Sequence, residues 1–101
     1  MYKLQYHHEV FEDLDKLSYE ILTEVSAYFD KYKSDPYKYS KKLYNQGEIN
    51  LKGYRKTYVA DATYRIVLKI EDDVIKVVEV VAVGKREDKE VYKEAHLRIK
   101  T

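Results

Sequence analysis

The chain has 101 residues, 45% of them hydrophobic and 37% charged, with a formal net charge of +1. That leaves room for one domain with one modest core inside a charged exterior, and it excludes a disordered chain. Cysteine is absent, so disulfides, thiolate nucleophiles and Cys-ligated zinc are excluded, and no apolar run approaches the ~20 residues of a membrane span. The N-terminal stretch MYKLQYHHEV has no apolar leader core. We read a single domain over residues 1–101, soluble and cytoplasmic, with no membrane partner. The charge is unevenly spread. Residues 1–48 carry 7 basic against 9 acidic side chains, and residues 49–101 carry 12 against 9. The basic excess raises the prior for a polyanionic partner only weakly.

In chain order, Tyr2–Tyr6 alternates apolar and polar residues as a short half-buried strand does. From His8 the period becomes helical, with Val10, Phe11, Leu14 and Leu17 as a stripe and Glu9, Glu12, Asp13 and Asp15 opposite. Ser18 is a candidate N-cap for a second helix whose stripe is Ile21, Leu22, Val25, Tyr28, Phe29 and Tyr32. Asp35-Pro36 stops that helix, because the residue before proline is pushed out of the helical region. Tyr37–Gly47 is polar, tyrosine-rich and irregular, and reads as a loop. Ile49–Val59 is strand-like, with Gly53 marking a bulge or a close approach. Ala60–Thr63 is a short hairpin connection. Tyr64–Ile70 is an alternating strand, Glu71-Asp72-Asp73 turns the chain, and Val74–Val83 is a β-branched run suited to a central strand covered on both faces, ended by Gly84. Glu87–Lys100 reads as a C-terminal helix with Val91, Tyr92, Ala95 and Ile99 as its apolar positions.

The order β-α-α-β-β-β-α predicts an α+β domain. It has a small antiparallel-rich sheet, an N-terminal helical hairpin on one face and a C-terminal helix. With the helices on one face, the other stays partly open and carries charged and aromatic side chains.

No metal set stands out. His7 and His8 are adjacent, so on a strand or helix they point apart, and His96 is isolated. No phosphate-binding glycine loop exists, and only three glycines are present. The basic-aromatic residues carry more. On a strand, Tyr54, Lys56 and Tyr58 share one face while Arg55 and Thr57 share the other. Arg65 lies on the next strand, and Arg86 and Tyr92 follow the central one. Cations hold phosphates and tyrosine rings stack on unpaired bases, so the set suits RNA. Preplaced arginines also stabilise the charge that a phosphate gains under attack by a 2′-hydroxyl. Against this stand the ordinary alternatives: a helical tyrosine as core residue, and surface cations that only solvate a face.

The segment TYRIVLKI-EDD-VIKVVEVVAVGKREDKEVYKEAHLRI strongly resembles the C-terminal half of the RelE family of toxin–antitoxin mRNA interferases. It shows a YR strand, an acidic turn, a β-branched strand, then GKRE and VY in a terminal helix, over most of residues 54–99. The resemblance implies a toxin that enters the ribosomal A site and cleaves the bound mRNA without metal or cofactor, through attack of the 2′-hydroxyl. It implies a RelB-like antitoxin as partner, besides the ribosome and mRNA, with operator DNA bound through the antitoxin. By position, Arg65 resembles the family's phosphate-binding arginine. Arg86 resembles the GKRE arginine that stabilises the transition state and serves the leaving group, and Tyr92 the tyrosine that orients or stacks the substrate. Lys56 is the candidate for the lysine that aids deprotonation of the 2′-hydroxyl. Lys52, Arg55, Tyr58 and Lys85 complete the expected substrate-binding set. The chain departs from the family in being nearly neutral and in not reproducing its lysine pair. Two rivals stand beside this reading: a ParE-like inhibitor of DNA gyrase, and an inactive relative that still binds antitoxin.

Overall fold

The computed structural model describes residues 1–44 and 49–100. Strand β1 spans Lys3–Tyr6, and helices α1 and α2 span Val10–Asp15 and Tyr19–Ser34. Strands β2, β3, β4 and β5 span Lys41–Lys42, Arg55–Val59, Tyr64–Asp72 and Lys76–Lys85. A single 3-10 turn, Glu87–Lys89, leads into α3, Glu90–Lys100. The sheet order is β1-β5-β4-β3-β2, with β1 parallel to β5 and the other neighbours antiparallel. This is the α+β, antiparallel-rich architecture that the apolar periods predict.

Helix α2 begins and ends where its sequence says. Ser18 is the N-cap, its hydroxyl accepting from the Ile21 N–H at 3.4 Å. Asp35 leaves the helix at φ −151° and its carboxylate accepts from the Lys38 N–H at 3.2 Å. Val25, Phe29 and Tyr32 bury their side chains against Val59, Ile66, Leu68, Val78, Val80 and Val83. Fully burying such a side chain contributes roughly 1.5–3 kcal/mol, so this stripe sets where α2 lies. Tyr32 donates its hydroxyl to Thr57 Oγ1, and Thr57 donates onward to the Tyr39 carbonyl at 2.7 Å. Burial holds the Tyr32 phenol well above its ordinary pKa.

Several expectations change. The helices do not share one face. Helix α3 packs on the opposite side, where Val91, Tyr92 and Ala95 meet Val67, Val81 and Ala82. The β-branched run of β5 has apolar side chains on both faces, and each needs a cover. The open area is therefore confined to the β3–β4 half. Gly84 lies inside β5, not at its end. Glu71 and Asp72 belong to β4, so the turn falls on Asp73–Ile75, where Val74 is 93% exposed. Strand β3 begins only at Arg55, because Gly53 takes φ +90° in a turn closed by a Tyr54 N–H to Leu51 carbonyl bond of 3.1 Å. The Tyr37–Gly47 loop contains β2, and its residues 45–47 lie outside the described residues.

The link between β3 and β4 places Ala60, Asp61 and Ala62 at φ 52°, 54° and 70°. None is glycine, and each costs on the order of 1–2 kcal/mol in this left-handed region. The Ala60 N–H is held by Glu24 Oε1 at 3.1 Å, and Thr63 donates both its N–H and its hydroxyl to the Ala60 carbonyl.

Strand β5 carries a bulge. Val67 pairs with Ala82, but Leu68 pairs with Val80. Val81 and Ala82 thus fall in the same cluster, under α3. Residues 81–85 of β5 have no strand on the β1 side, since β1 pairs only as far as Val80. An ion pair fills that edge. Arg98 donates to Asp13 Oδ2 at 2.6 Å, to Asp13 Oδ1 at 2.8 Å and to the Val81 carbonyl at 2.9 Å. The Val83 N–H donates to Asp13 Oδ2 at 3.0 Å. Asp13, expected on the solvent side of α1, is instead the link between the first helix and the last.

Candidate functional site

The β3–β4 register puts Tyr58 opposite Arg65 and Lys56 opposite Val67, and the β2–β3 register puts Lys41 opposite Lys56. Directly paired residues share a face, so Lys41, Lys56, Tyr58 and Arg65 lie on the side that α3 half covers. Arg65 is central. It is 8% exposed, its Nη1 donates to the Tyr92 hydroxyl at 2.7 Å, and its Cζ lies 4.1 Å from the Tyr58 ring centroid. Among the described residues no carboxylate pairs with it, and its buried Nε has no hydrogen-bond partner. A buried cation without a counter-ion is unfavourable unless an anion arrives to share the site.

Tyr58 is ringed by charge. Lys56 Nζ lies 5.2 Å and Lys41 Nζ 5.6 Å from its ring centroid. A side-chain hydrogen bond from Lys56, reinforced by the charges of Lys56, Arg65 and Lys41, pulls its phenol below the ordinary tyrosine range against a smaller opposing effect of burial. A hollow of about 270 Å³ opens beside it, bordered by Lys38, Tyr39, Lys41 and Lys56.

Tyr92 sits in the core under α3, 2% exposed, and its ring reaches no solvent-facing surface that a base could stack on. What it offers the site is its hydroxyl, which fixes the direction of Arg65. Arg86 follows β5 and is exposed, and its N–H donates to the Thr63 carbonyl at 2.9 Å. It stands two residues beyond Gly84, the partner of Arg65 on β5.

No family model matches the chain, and no curated protein sequence matches it. Solved structures do. The toxin–antitoxin complex RelBE2 of Mycobacterium tuberculosis includes a chain 27% identical, with a TM-score of 0.67 over 84% of this chain and 98% of that one. The isolated RelE toxin of Escherichia coli is 26% identical, with a TM-score of 0.65 over 98% of this chain and 99% of that one. The chain is similar in sequence and fold to RelE toxins. An archaeal RelE–RelB complex from Pyrococcus horikoshii, 18% identical with a TM-score of 0.63 over 85% of this chain and 96% of that one, shares the RelE fold.

On this RelE fold the remaining candidates separate. Arg55 faces the helical hairpin. It donates to Ser40 Oγ at 2.7 Å and the Ser40 carbonyl at 2.8 Å, and lies 5.1 Å from the Tyr37 ring centroid, so it fastens the 37–40 segment. Lys85 pairs with Tyr64 and lines an acid-rich hollow with Glu9, Asp13 and Glu90, on the hairpin side. Lys52 is exposed beside Gly53, in an apolar hollow with Leu43 and Tyr54. Lys41 joins the basic set although it lies in the Tyr37–Gly47 stretch that reads from sequence as a loop. Two strand residues have no readable period, so nothing local reveals that β2 pairs with β3.

His7 and His8 do not point apart. They occupy the turn before α1, where their rings stack at 4.3 Å. With Glu9 they bring one ligand atom each within 4.8 Å. His7 Nδ1 already accepts from the Glu9 N–H at 3.2 Å, and the Glu9 carboxylate lies 3.6 Å from Arg98. No described helix is long and apolar enough to cross a membrane.

Proposed function

We propose that this chain is the toxin of a type II toxin–antitoxin system, a ribosome-dependent endoribonuclease that cleaves mRNA in the A site. The supporting observation is Arg65: a buried guanidinium with no carboxylate, flanked by Lys41, Lys56 and Tyr58 on the uncovered half of the sheet. Such a site favours a phosphate that no described group of the protein replaces. The 2′-oxygen attacks phosphorus, and the negative charge that builds on the phosphate oxygens is met by Arg65 and Arg86. Protein cations supply that stabilisation, so the reaction needs no metal. Lys56 aids loss of the 2′-hydroxyl proton. Tyr92 acts by holding Arg65. The near-neutral chain gathers Lys41, Lys56 and Arg65 on this face, so binding to the ribosome weakens as salt rises.

The partner follows from the same charge. A RelB-like antitoxin with acidic side chains would cover the cationic face, and operator DNA would be reached through the antitoxin. The place of action is the cytoplasm, where ribosomes and transcripts meet. Primer extension on programmed ribosomes tests the activity, with wild type beside Arg86→Ala. Cleavage in the A-site codon by wild type, reduced about 10²–10³-fold in the variant, is the expected result. Growth arrest with transcripts intact and DNA supercoiling disturbed would transfer the chain to the gyrase-inhibitor reading.

A further inference from the structure

We propose that Tyr58 is the proton acceptor of the cleavage step, with its phenolate taking the proton of the 2′-hydroxyl. The inference rests on the ribonuclease reading above and assigns one role within that site.

The cationic face needs a base, and the candidates are few. Among the described residues no imidazole or carboxylate forms an ion pair or hydrogen bond with Lys41, Lys56, Tyr58 or Arg65. Of these four, Tyr58 is the group whose ionised form is an anion. Its neighbours from each packed element are cations: Lys56 on β3 itself, Lys41 on β2 and Arg65 on β4. Lys38, Tyr28 and Tyr39 also border the hollow beside it, and among the described residues no carboxylate does. Each cation stabilises a phenolate more than a phenol. The depressed pKa of Tyr58 has the sign this arrangement demands. Access is also present. Tyr58 is 39% exposed, whereas Arg65 beneath it is 8% exposed. A phosphate drawn to Arg65 therefore brings its neighbouring ribose to the open side, where the phenol oxygen stands.

The step balances without a further reagent. Tyr58 Oη takes the 2′-hydroxyl proton as O2′ bonds to phosphorus. The P–O5′ bond breaks and its electron pair stays on O5′. Water protonates O5′, and the hydroxide left behind takes the proton from Tyr58. The products are a 2′,3′-cyclic phosphate and a 5′-hydroxyl. Lys56 assists by holding the phenolate.

The test is single-turnover cleavage on programmed ribosomes across pH, for wild type, Tyr58→Phe and Tyr58→His. Phenylalanine keeps the ring over Arg65 and removes only the hydroxyl. It should slow cleavage by about 10²–10⁴-fold while ribosome binding stays within about twofold. Histidine should restore part of the rate and move the inflection of the pH profile down towards ~6.5. An ultraviolet difference titration of wild type against Tyr58→Phe should show one tyrosine ionising ahead of its ordinary ~10. Cleavage by Tyr58→Phe within about twofold of wild type would overturn the proposal. So would a histidine variant with an unmoved profile. Wild type that binds an antitoxin peptide but cleaves no ribosome-bound mRNA would instead fell the ribonuclease reading, and this proposal with it.

Discussion

Arg65 and Arg98 are equally deep, 8% and 7% exposed, and have opposite company. Arg98 holds Asp13 through two nitrogens and has Glu9 and Glu94 at 3.6 and 3.8 Å. That company, led by the Asp13 bond, raises its pKa. Arg65 holds one neutral hydroxyl and faces two aromatic rings, Tyr58 and Tyr92. Burial alone therefore does not separate a structural cation from a functional one. The identity of the partners does: an arginine paired with carboxylates closes the fold, and one with no carboxylate beside it among the described residues waits for an anion from outside.

The largest effect should come from breaking the carboxylate pair. Arg98→Ala leaves the largely covered Asp13 carboxylate without its cation, and removing one partner of such a pair costs up to about 3–5 kcal/mol. Urea unfolding measures it. Asp13→Leu combined with Arg98→Met should lose much less, because no lone charge remains. An unchanged urea midpoint for Arg98→Ala would erase the contrast with Arg65.

Next comes the arginine without a carboxylate. Arg65→Gln should lower cleavage about 10²–10³-fold, equivalent to about 2.7–4 kcal/mol of transition-state stabilisation. Its unfolding free energy should move by about 1.5–3 kcal/mol at most, since one hydrogen bond from a charged donor is lost and no ion pair is broken. Destabilisation as large as that of Arg98→Ala would make Arg65 a structural residue after all.

Tyr92→Phe sharpens the comparison at smaller amplitude. The ring stays and the hydroxyl that aims Arg65 goes, a loss of about 1 kcal/mol, or several-fold in rate. A residue that stacked on substrate would keep full activity as phenylalanine, so the variant separates the two roles.

The sequence made the fold and part of the site legible, and its failures have local causes. The β-branched run, the Ser18 cap and the Asp35-Pro36 stop each depend on residues within a few positions, and each reads correctly. Parity along β3 also placed Arg55 and Thr57 away from Lys56 and Tyr58. The Arg98–Asp13 pair joins residues 85 positions apart and leaves no periodic trace. Tyr92 reads as core from its helical spacing and as a platform only from the resemblance, and the packing of α3 shows that its ring is covered. Lys41 enters the site through a two-residue edge strand.

The smallest effect belongs to an exposed counterpart. Tyr37, 43% exposed, donates to Asp72 Oδ2 at 2.6 Å, and that bond pushes its phenol up to about 12. A raised phenol contributes stability that is present below its ordinary value of 10 and lost as pH climbs from there through about 12. Solvent screening keeps the contribution under about 1 kcal/mol. Tyr37→Phe should therefore flatten part of the alkaline decline in thermal stability and leave neutral pH almost unchanged. A decline of the same steepness in the variant would assign it to other tyrosines.

The bulge at Val81 acts as a phase shift in the strand. The pairs from Leu68 to Asp72 run in one phase and those from Tyr64 to Val67 in the other, so one extra residue decides what stands beside Arg65. With it, the neighbour is Gly84, which leaves room over Arg65 and close approach to Val91. Without it, the neighbour would be Val83, and Arg86 would leave the chain on the opposite beat, turned towards the helical hairpin. Arg98 and Asp13 hold the carbonyl of Val81 and the N–H of Val83. The structural arginine thus keeps time for the functional one, and deleting a single residue from β5 would mis-aim the site while leaving its composition almost intact.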